Sequence, residues 1–218
     1  MKLLLTSAGI KNESIKNELL TLLNNSIEDT HAICITTSSY HLKEGFLRAF
    51  EFVSGISETP MCELKWKSIG LMELSILHAI DETIWKTQID KADVILVNGG
   101  DPMLLNYFMK SSGFFDYIKN KDIVYVGLSA GSMIMAPSIG QDFVGWQKLE
   151  QGDQTLGVID FSIFPHLNHP MLPDNILENA IKWKKTLNHK AYAIDDQSAI
   201  SVVDDQIKVI SEGIWYDL

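Results

Sequence analysis

Residues 123–134 constrain the fold of this chain more than any other stretch, because a β-branched run leads directly into Gly-x-Ser-x-Gly. The pentapeptide is Gly127-Leu128-Ser129-Ala130-Gly131, and an apolar, helix-compatible segment follows it. This order of strand, glycine-flanked serine and helix is typical of a nucleophile elbow, a sharp turn that lifts the serine side chain clear of a sheet. The two glycines lack Cβ atoms, so strand and helix can approach closely around the turn. The alternative interpretation is an ordinary turn between strand and helix that contains a serine.

Apolar strand-like runs alternate with helix-like segments along the chain, and this alternation predicts an α/β fold. With 46% hydrophobic residues in 218, the chain can bury a substantial core. Because the early strands are apolar throughout, we expect a mostly parallel sheet covered on both faces. We predict one three-layer α/β/α domain over residues 1–218. The predicted strands are 3–6, 31–36, 62–69, 92–97, 123–128, 161–164, 191–194, 199–203 and 206–210, the last two joined in a hairpin, and the predicted helices are 12–23, 40–53, 82–91 and 104–119, the last interrupted near 111–113.

Charge and cysteine content exclude several classes of function. The formal net charge of −10 argues against a nucleic-acid or anionic-membrane partner, since both need basic surface. Cys34 and Cys62 form neither a Cys-x-x-Cys motif nor a disulfide framework, so we predict no metal site, and no cofactor is predicted. The apolar part of the N-terminus is too short for a signal peptide, and no apolar run reaches transmembrane length. The expected location is the cytoplasm.

Two strands end in unusual turns, and ligands of open parallel sheets bind beyond such strand ends. One turn is Asn98-Gly99-Gly100-Asp101, and the other is the turn at Ser129. The backbone N–H groups of Gly100 and Ala130 could together form an oxyanion hole. The alternative for the two glycines is a turn before a helix that requires positive φ.

A serine nucleophile needs a base, and the chain has six histidines. His166 is the favoured candidate, because it follows the predicted strand 161–164 and Pro165 and so lies at a strand end. His169 is its nearby competitor. The other four are assigned by pattern to packing, capping or solvated positions: His31, His41, His78 and His189.

An orienting carboxylate would complete a triad with Ser129 and His166. Four acidic residues between them are candidates, and the residue pattern leaves the choice open: Asp142, Glu150, Asp153 and Asp160. Asp142 follows the predicted elbow helix most closely.

These features together resemble the dipeptidase E (α-aspartyl dipeptidase) and cyanophycinase family of serine peptidases. The resembling segments are the strand 2–6, the turn 97–101, the elbow 127–131 with Ala136-Pro137, Phe164-Pro165-His166, and the late segment 193–200. The resemblance implies a class I glutamine amidotransferase-like fold and hydrolysis of small peptides. It also implies Ser129 as nucleophile, His166 as base, Gly100 and Ala130 as oxyanion donors, and Asp142 as the acid.

Two departures from the family bear on function. The first oxyanion turn is commonly Gly-Gly-Gly-Asn in the family, whereas this chain has Asn98-Gly99-Gly100-Asp101. The family's segment after the histidine carries an arginine suited to an aspartyl side chain. Residues 167–176 contain no arginine, so we expect a substrate other than N-terminal aspartyl dipeptides. Two other functions remain open, an esterase with His189 as a later base and a non-catalytic binding or regulatory protein that keeps the pocket. The oligomeric state is left open.

Overall fold

A seven-stranded sheet forms the centre of the computed structural model, which describes residues 1–146 and 152–218. Its strand order is β3-β2-β4-β5-β1-β8-β9. The strands are β1 (Lys2–Thr6), β2 (His31–Ile35), β3 (Ser68–Leu71), β4 (Val94–Val97), β5 (Val124–Leu128), β6 (Phe161–Phe164), β7 (Lys190–Ile194), β8 (Ser198–Val203), β9 (Gln206–Ser211) and β10 (Trp215–Asp217). The α-helices are α1 (Glu13–Leu23), α2 (Gly45–Ser54), α3 (Glu82–Ile89), α4 (Pro102–Ser111), α5 (Phe114–Ile118), α6 (Ala130–Met133) and α7 (Leu177–Lys184). Short 3₁₀ helices occupy Ile27–Asp29, Thr37–His41, Leu74–Ala79 and Gln141–Phe143.

Five neighbouring strands of the main sheet are parallel, from β3 through β2, β4 and β5 to β1. At one edge of the sheet, β8 pairs antiparallel with both β1 and β9, and β8 and β9 form the predicted hairpin. The register pairs Val97 with Gly127 and Thr6 with Leu128, so the ends of β4, β5 and β1 lie side by side. The predicted mostly parallel sheet is confirmed, and its carboxyl edge carries the elbow.

Helices cover both faces of this sheet, because alternate residues of each buried strand enter different cores. One core joins odd-numbered strand residues such as Ile95 to α3, α4 and α5 through Trp85, Met109 and Phe114. The other joins even-numbered residues such as Leu96 to α1 and α2. This arrangement confirms the predicted three layers.

A second sheet of three strands, in the order β10-β7-β6, was not anticipated from the sequence. Its strands β6 and β7 are parallel, with Phe164 opposite Ala193. The chain segments that follow these two strands therefore begin at the same edge of the small sheet.

Helix α2 differs from the prediction for residues 40–53. The first residues of that segment belong to the 3₁₀ helix Thr37–His41, and α2 begins only at Gly45. It buries Gly45, Ala49 and Phe52, whereas Phe46 is 79% exposed and Phe50 is 55% exposed. A Cβ on Gly45 would lie 2.0 Å from the backbone oxygen of Ser39, so α2 rests on its small residues and turns its large apolar ones outward.

Candidate active site

Ser129 lies at the turn between β5 and α6 in a backbone conformation that residues other than glycine rarely adopt, with φ 49° and ψ −109°. Strained residues of this kind concentrate at functional sites, where the surrounding structure enforces them. The Ser129 amide donates to the backbone oxygen of Thr6 at 3.0 Å, and its own carbonyl accepts from Ser132 and Met133. The turn therefore ties the serine to the central strand β1.

The glycines on either side of Ser129 permit this turn by close packing. A Cβ on Gly127 would lie 2.6 Å from the backbone carbon of Gly131, and a Cβ on Gly131 would lie 2.6 Å from the backbone oxygen of Val97. The predicted elbow geometry is therefore present. Helix α6 is only four residues long, so little of a helix macrodipole acts on Ser129.

The turn after β4 approaches Ser129 from the neighbouring strand. A Cβ on Gly99 would lie 2.6 Å from the Leu128 side chain and 3.3 Å from Ser129 Cβ. Asn98 organises the turn, because its side-chain oxygen accepts from the Gly99 amide at 2.8 Å and its side-chain nitrogen donates to Ser39 Oγ at 3.0 Å. Gly100 has φ +144°, and a Cβ there would lie 2.2 Å from the Ser38 backbone oxygen.

The two predicted oxyanion donors belong to the two turns, with Ala130 directly after Ser129 and Gly100 in the turn after β4. The amides of Gly100 and Ala130 donate to no acceptor within residues 1–146 and 152–218. Gly100 also lines the cavity that contains Ser129. The same turn also supports α4, since Asp101 caps that helix by accepting from the Met103 and Leu104 amides, as the alternative interpretation of the double glycine expects. The oxyanion role of Gly100 stays a prediction.

His166 follows β6 and Pro165, as predicted, and it lines the same cavity as Ser129. Its backbone is left-handed, with φ 57°, and its amide donates to Ser7 Oγ at 2.7 Å. In the described chain, Ser129 and His166 do not hydrogen-bond directly; nucleophile–base pairs are often looser before a substrate aligns them.

The carboxylate in contact with His166 is Asp196, in the turn between β7 and β8. Asp196 Oδ1 lies 2.7 Å from His166 Nδ1, and Asp196 Oδ2 lies 3.6 Å from Nε2 of His169. An ionised carboxylate can only accept, so His166 donates from Nδ1, which leaves Nε2 as the basic nitrogen. Burial raises the pKa of the Asp196 carboxyl, but the hydrogen bond and charge of His166, the Ser7 hydroxyl and His169 outweigh burial and leave this pKa below its ordinary value.

Ser7 connects the base to this carboxylate. It lies directly after β1 and is fully buried. Its hydroxyl donates to Asp196 Oδ1 at 3.1 Å and accepts from the His166 amide at 2.7 Å. A single side chain therefore fixes both the backbone of the histidine and the carboxylate that orients its ring.

The cavity between these groups has a volume of about 450 Å³, within the range of small-ligand sites. Its wall is formed by Asn98–Gly100, Leu128 and Ser129, and His166. The rest of the wall comes from α2 and the segments just before and after it, and includes Leu47 and Arg48.

Asp142 is exposed in the 3₁₀ helix Gln141–Phe143, and its carboxylate makes no hydrogen bond or ion pair with a described residue. The structure therefore does not bring Asp142 to the His166 ring. Asp153 is half-buried, Asp160 is exposed, and neither contacts His166; Glu150 lies outside the described residues.

His189, the base of the esterase alternative, lies elsewhere. Its Nε2 is 2.6 Å from Ser162 Oγ, away from the cavity, and burial together with the charge of Lys184 lowers its pKa.

Sequence reasoning missed Asp196 because it sought the acid only between Ser129 and His166. A signal was available in the two strand-like runs 161–164 and 191–194, each followed by polar residues. Had these runs been paired as parallel strands, residues 166 and 196 would have been expected at one sheet edge, as the register of Phe164 with Ala193 places them.

Within residues 1–146 and 152–218, no group of three or more His, Cys, Asp or Glu could hold a metal ion. No helix in them is long and apolar enough to cross a membrane.

An α/β sheet with a strained serine at a strand–helix elbow, beside a histidine held by a carboxylate, is the arrangement typical of serine hydrolases. Residues 61–210, more than half of the chain, match the sequence profile of peptidase family S51, and the chain belongs to this family. It is therefore a hydrolase, a serine peptidase of the dipeptidase E type, which confirms the resemblance inferred from the sequence.

Two solved structures share the fold. A protein of Listeria monocytogenes EGD-e assigned to peptidase E is 22% identical, with a TM-score of 0.68, over 97% of this chain and 98% of its own. A peptidase from an acI-B1 actinobacterium is 18% identical, with a TM-score of 0.71, over 100% of this chain and 90% of its own. A search of curated protein sequences finds no match.

Proposed function

We propose that this protein hydrolyses the peptide bond of small peptides, with Ser129 as nucleophile, His166 as general base and acid, and Asp196 as the orienting carboxylate. The observation that carries the proposal is the 2.7 Å contact between His166 Nδ1 and Asp196 Oδ1, made beside a cavity that Ser129 also lines. Asp196 here takes the role that the sequence resemblance gave to Asp142.

In the acylation step, Ser129 Oγ attacks the carbonyl carbon while its proton passes to His166 Nε2. The N–H groups of Gly100 and Ala130 donate hydrogen bonds to the carbonyl oxygen as negative charge develops on it. His166 then donates its proton to the leaving nitrogen, the C–N bond breaks, and the amine product departs.

In the deacylation step, water attacks the acyl-enzyme and gives a proton to His166 Nε2. The tetrahedral intermediate collapses with Ser129 Oγ as the leaving group, and the proton returns to this oxygen. Throughout, Asp196 keeps the Nδ1 proton in place and stabilises the imidazolium.

The test is covalent labelling with a serine-reactive fluorophosphonate, followed by peptide mapping, alongside hydrolysis of Ala-Leu. We expect one adduct at Ser129 in the wild type, and loss of the adduct with a fall of about 10⁶ in turnover for Ser129→Ala. The matched control is Ser132→Ala, also next to the elbow but fully buried, with its hydroxyl on the Thr6 carbonyl. An unlabelled wild type without turnover would instead favour a non-catalytic binding protein.

A further inference from the structure

Arg48 is the only arginine in the chain, and it lies in the wall of the cavity that holds Ser129 and His166. It projects from α2, the helix that packs through Gly45, Ala49 and Phe52. Its guanidinium forms no hydrogen bond and no ion pair with any residue in 1–146 or 152–218. A forked, permanently charged donor group therefore faces the cavity without a carboxylate of its own.

Three glutamates line the cavity near Arg48, and they decide which anion suits it: Glu44, Glu51 and Glu58. A substrate with a second carboxylate, on an acidic side chain, would be repelled by these three glutamate carboxylates. A short peptide with neutral side chains carries one carboxylate and one ammonium, so each end finds an opposite charge in the same cavity.

We infer that Arg48 binds the free C-terminal carboxylate of a short zwitterionic peptide, an inference that rests on the function proposed above. The arginine that the family carries after the histidine is absent from residues 167–176. Arg48 on α2 supplies a cation to the cavity instead, and it binds the C-terminal carboxylate rather than that of an aspartyl side chain. Because Arg48 is exposed, we expect an effect near the low end for charge-assisted hydrogen bonds, about tenfold in kcat/KM.

The experiment compares Ala-Leu with Ala-leucinamide, which differ only in the terminal carboxylate, by following the release of alanine. The wild type should prefer Ala-Leu by about tenfold in kcat/KM. Arg48→Gln should lower kcat/KM for Ala-Leu and leave that for the amide unchanged, while Arg48→Lys retains part of the preference. The control is Lys43→Gln, which removes an exposed cation just before α2 that is not part of the cavity wall and should leave the preference intact.

Equal losses on both peptides in Arg48→Gln, or a wild type without preference, would overturn the inference. A second pair, Asp-leucinamide and Ala-leucinamide, tests whether Arg48 binds the carboxylate of an acidic side chain instead. If Arg48→Gln lowered only hydrolysis of Asp-leucinamide, the C-terminal assignment would be wrong.

A binding measurement separates this inference from the proposed function. Calorimetry with Ser129→Ala should show tighter binding of Ala-Leu than of Ala-leucinamide, and the double variant with Arg48→Gln should bind both alike. Equal dissociation constants in the single variant overturn the role of Arg48, whereas absence of fluorophosphonate labelling in the wild type overturns only the peptidase mechanism.

Discussion

Two consecutive aspartates after β7 have different tasks, although they look alike in the sequence. Asp195 closes its own turn, since it accepts from the Gln197 amide and the Ser198 hydroxyl and, through its other oxygen, from the Ile214 amide. Asp196 instead reaches the His166 ring. A change at Asp195 therefore acts on the fold, and a change at Asp196 acts on the histidine.

Asp196→Asn should lower kcat by about 10⁴ with little change in KM, because an orienting acid fixes the imidazole tautomer and stabilises the imidazolium. Asp142→Asn should stay close to wild-type activity, since the Asp142 carboxylate is exposed and away from His166. Steady-state kinetics on Ala-Leu measure both. The reverse order of the two variants would restore Asp142 as the acid.

Ser7→Ala should lower kcat by about tenfold or more, because it leaves the His166 amide without its acceptor and removes one of the two hydrogen bonds to Asp196 Oδ1. The Ser7 hydroxyl also helps to lower the Asp196 pKa, so this pKa should be higher in Ser7→Ala, as an NMR titration of the Asp196 carboxyl measures. Ser162→Ala, which removes another buried hydroxyl that does not line the cavity, is the control. A loss of stability with an unchanged Asp196 pKa in Ser7→Ala would mean a purely structural role.

The Asp196 carboxyl should also make stability depend on pH. Its pKa is lower in the folded chain than its ordinary value of 3.8, so its contribution is present above pH 3.8 and is lost as pH falls through the folded-state pKa. Urea unfolding of wild type and Asp196→Asn should therefore show a larger difference in unfolding free energy at about pH 6 than at about pH 2. A difference that grows toward acid pH would contradict this assignment.

At the scale of elements, the elbow depends on two backbones that meet where no side chain fits. Gly127→Ala should destabilise the protein by about 1–3 kcal/mol or more, since its Cβ would lie 2.6 Å from the Gly131 backbone. Gly70→Ala is the matched control in strand β3, because the nearest atom to its Cβ would be 4.0 Å away. Urea unfolding compares them, and equal effects would contradict the close-packing explanation.

Which elements could be predicted depended on how locally their residues are determined. Two local features were predicted, the helix interruption at 111–113 and the turn at Asp204 and Asp205. Both contain residues with positive φ and follow from short-range preferences. Helix α2 was predicted too long, and the 62–69 strand begins only at Ser68. For α2, the exposed Phe46 and Phe50 show the limit of the prediction. The spacing of apolar residues indicates that a helix has an apolar side, but it does not tell whether that side packs against the core.

At the scale of the whole molecule, the candidate site was predictable where a residue could be placed at a strand end from its own segment. Ser129, Gly100 and Ala130 follow from two turns at adjacent parallel strand ends, which the alternation of elements implies. Asp196 and Ser7 come from distant segments whose meeting depends on β8 pairing antiparallel with β1 and on the small sheet. Arg48 comes from a third segment, α2, which forms part of the cavity wall. No local pattern encodes these placements, so these three residues needed the structure.

The prediction of one domain over residues 1–218 can be tested by the cooperativity of unfolding. Three buried tryptophans lie in three different hydrophobic clusters: Trp85, Trp66 and Trp183. Trp183, which packs with Phe164 of the small sheet, also donates to the Ile139 carbonyl beyond the elbow, so the small sheet is tied to the segment that follows Ser129. We therefore expect urea unfolding followed by tryptophan fluorescence to coincide with unfolding followed by far-UV circular dichroism, in a single transition.

Because His166 and Asp196 follow strands of the small sheet while Ser129 follows a strand of the large one, catalytic activity should disappear in that same transition. Loss of activity at a lower urea concentration, together with an early fluorescence phase, would mean that the small sheet unfolds as a separate unit.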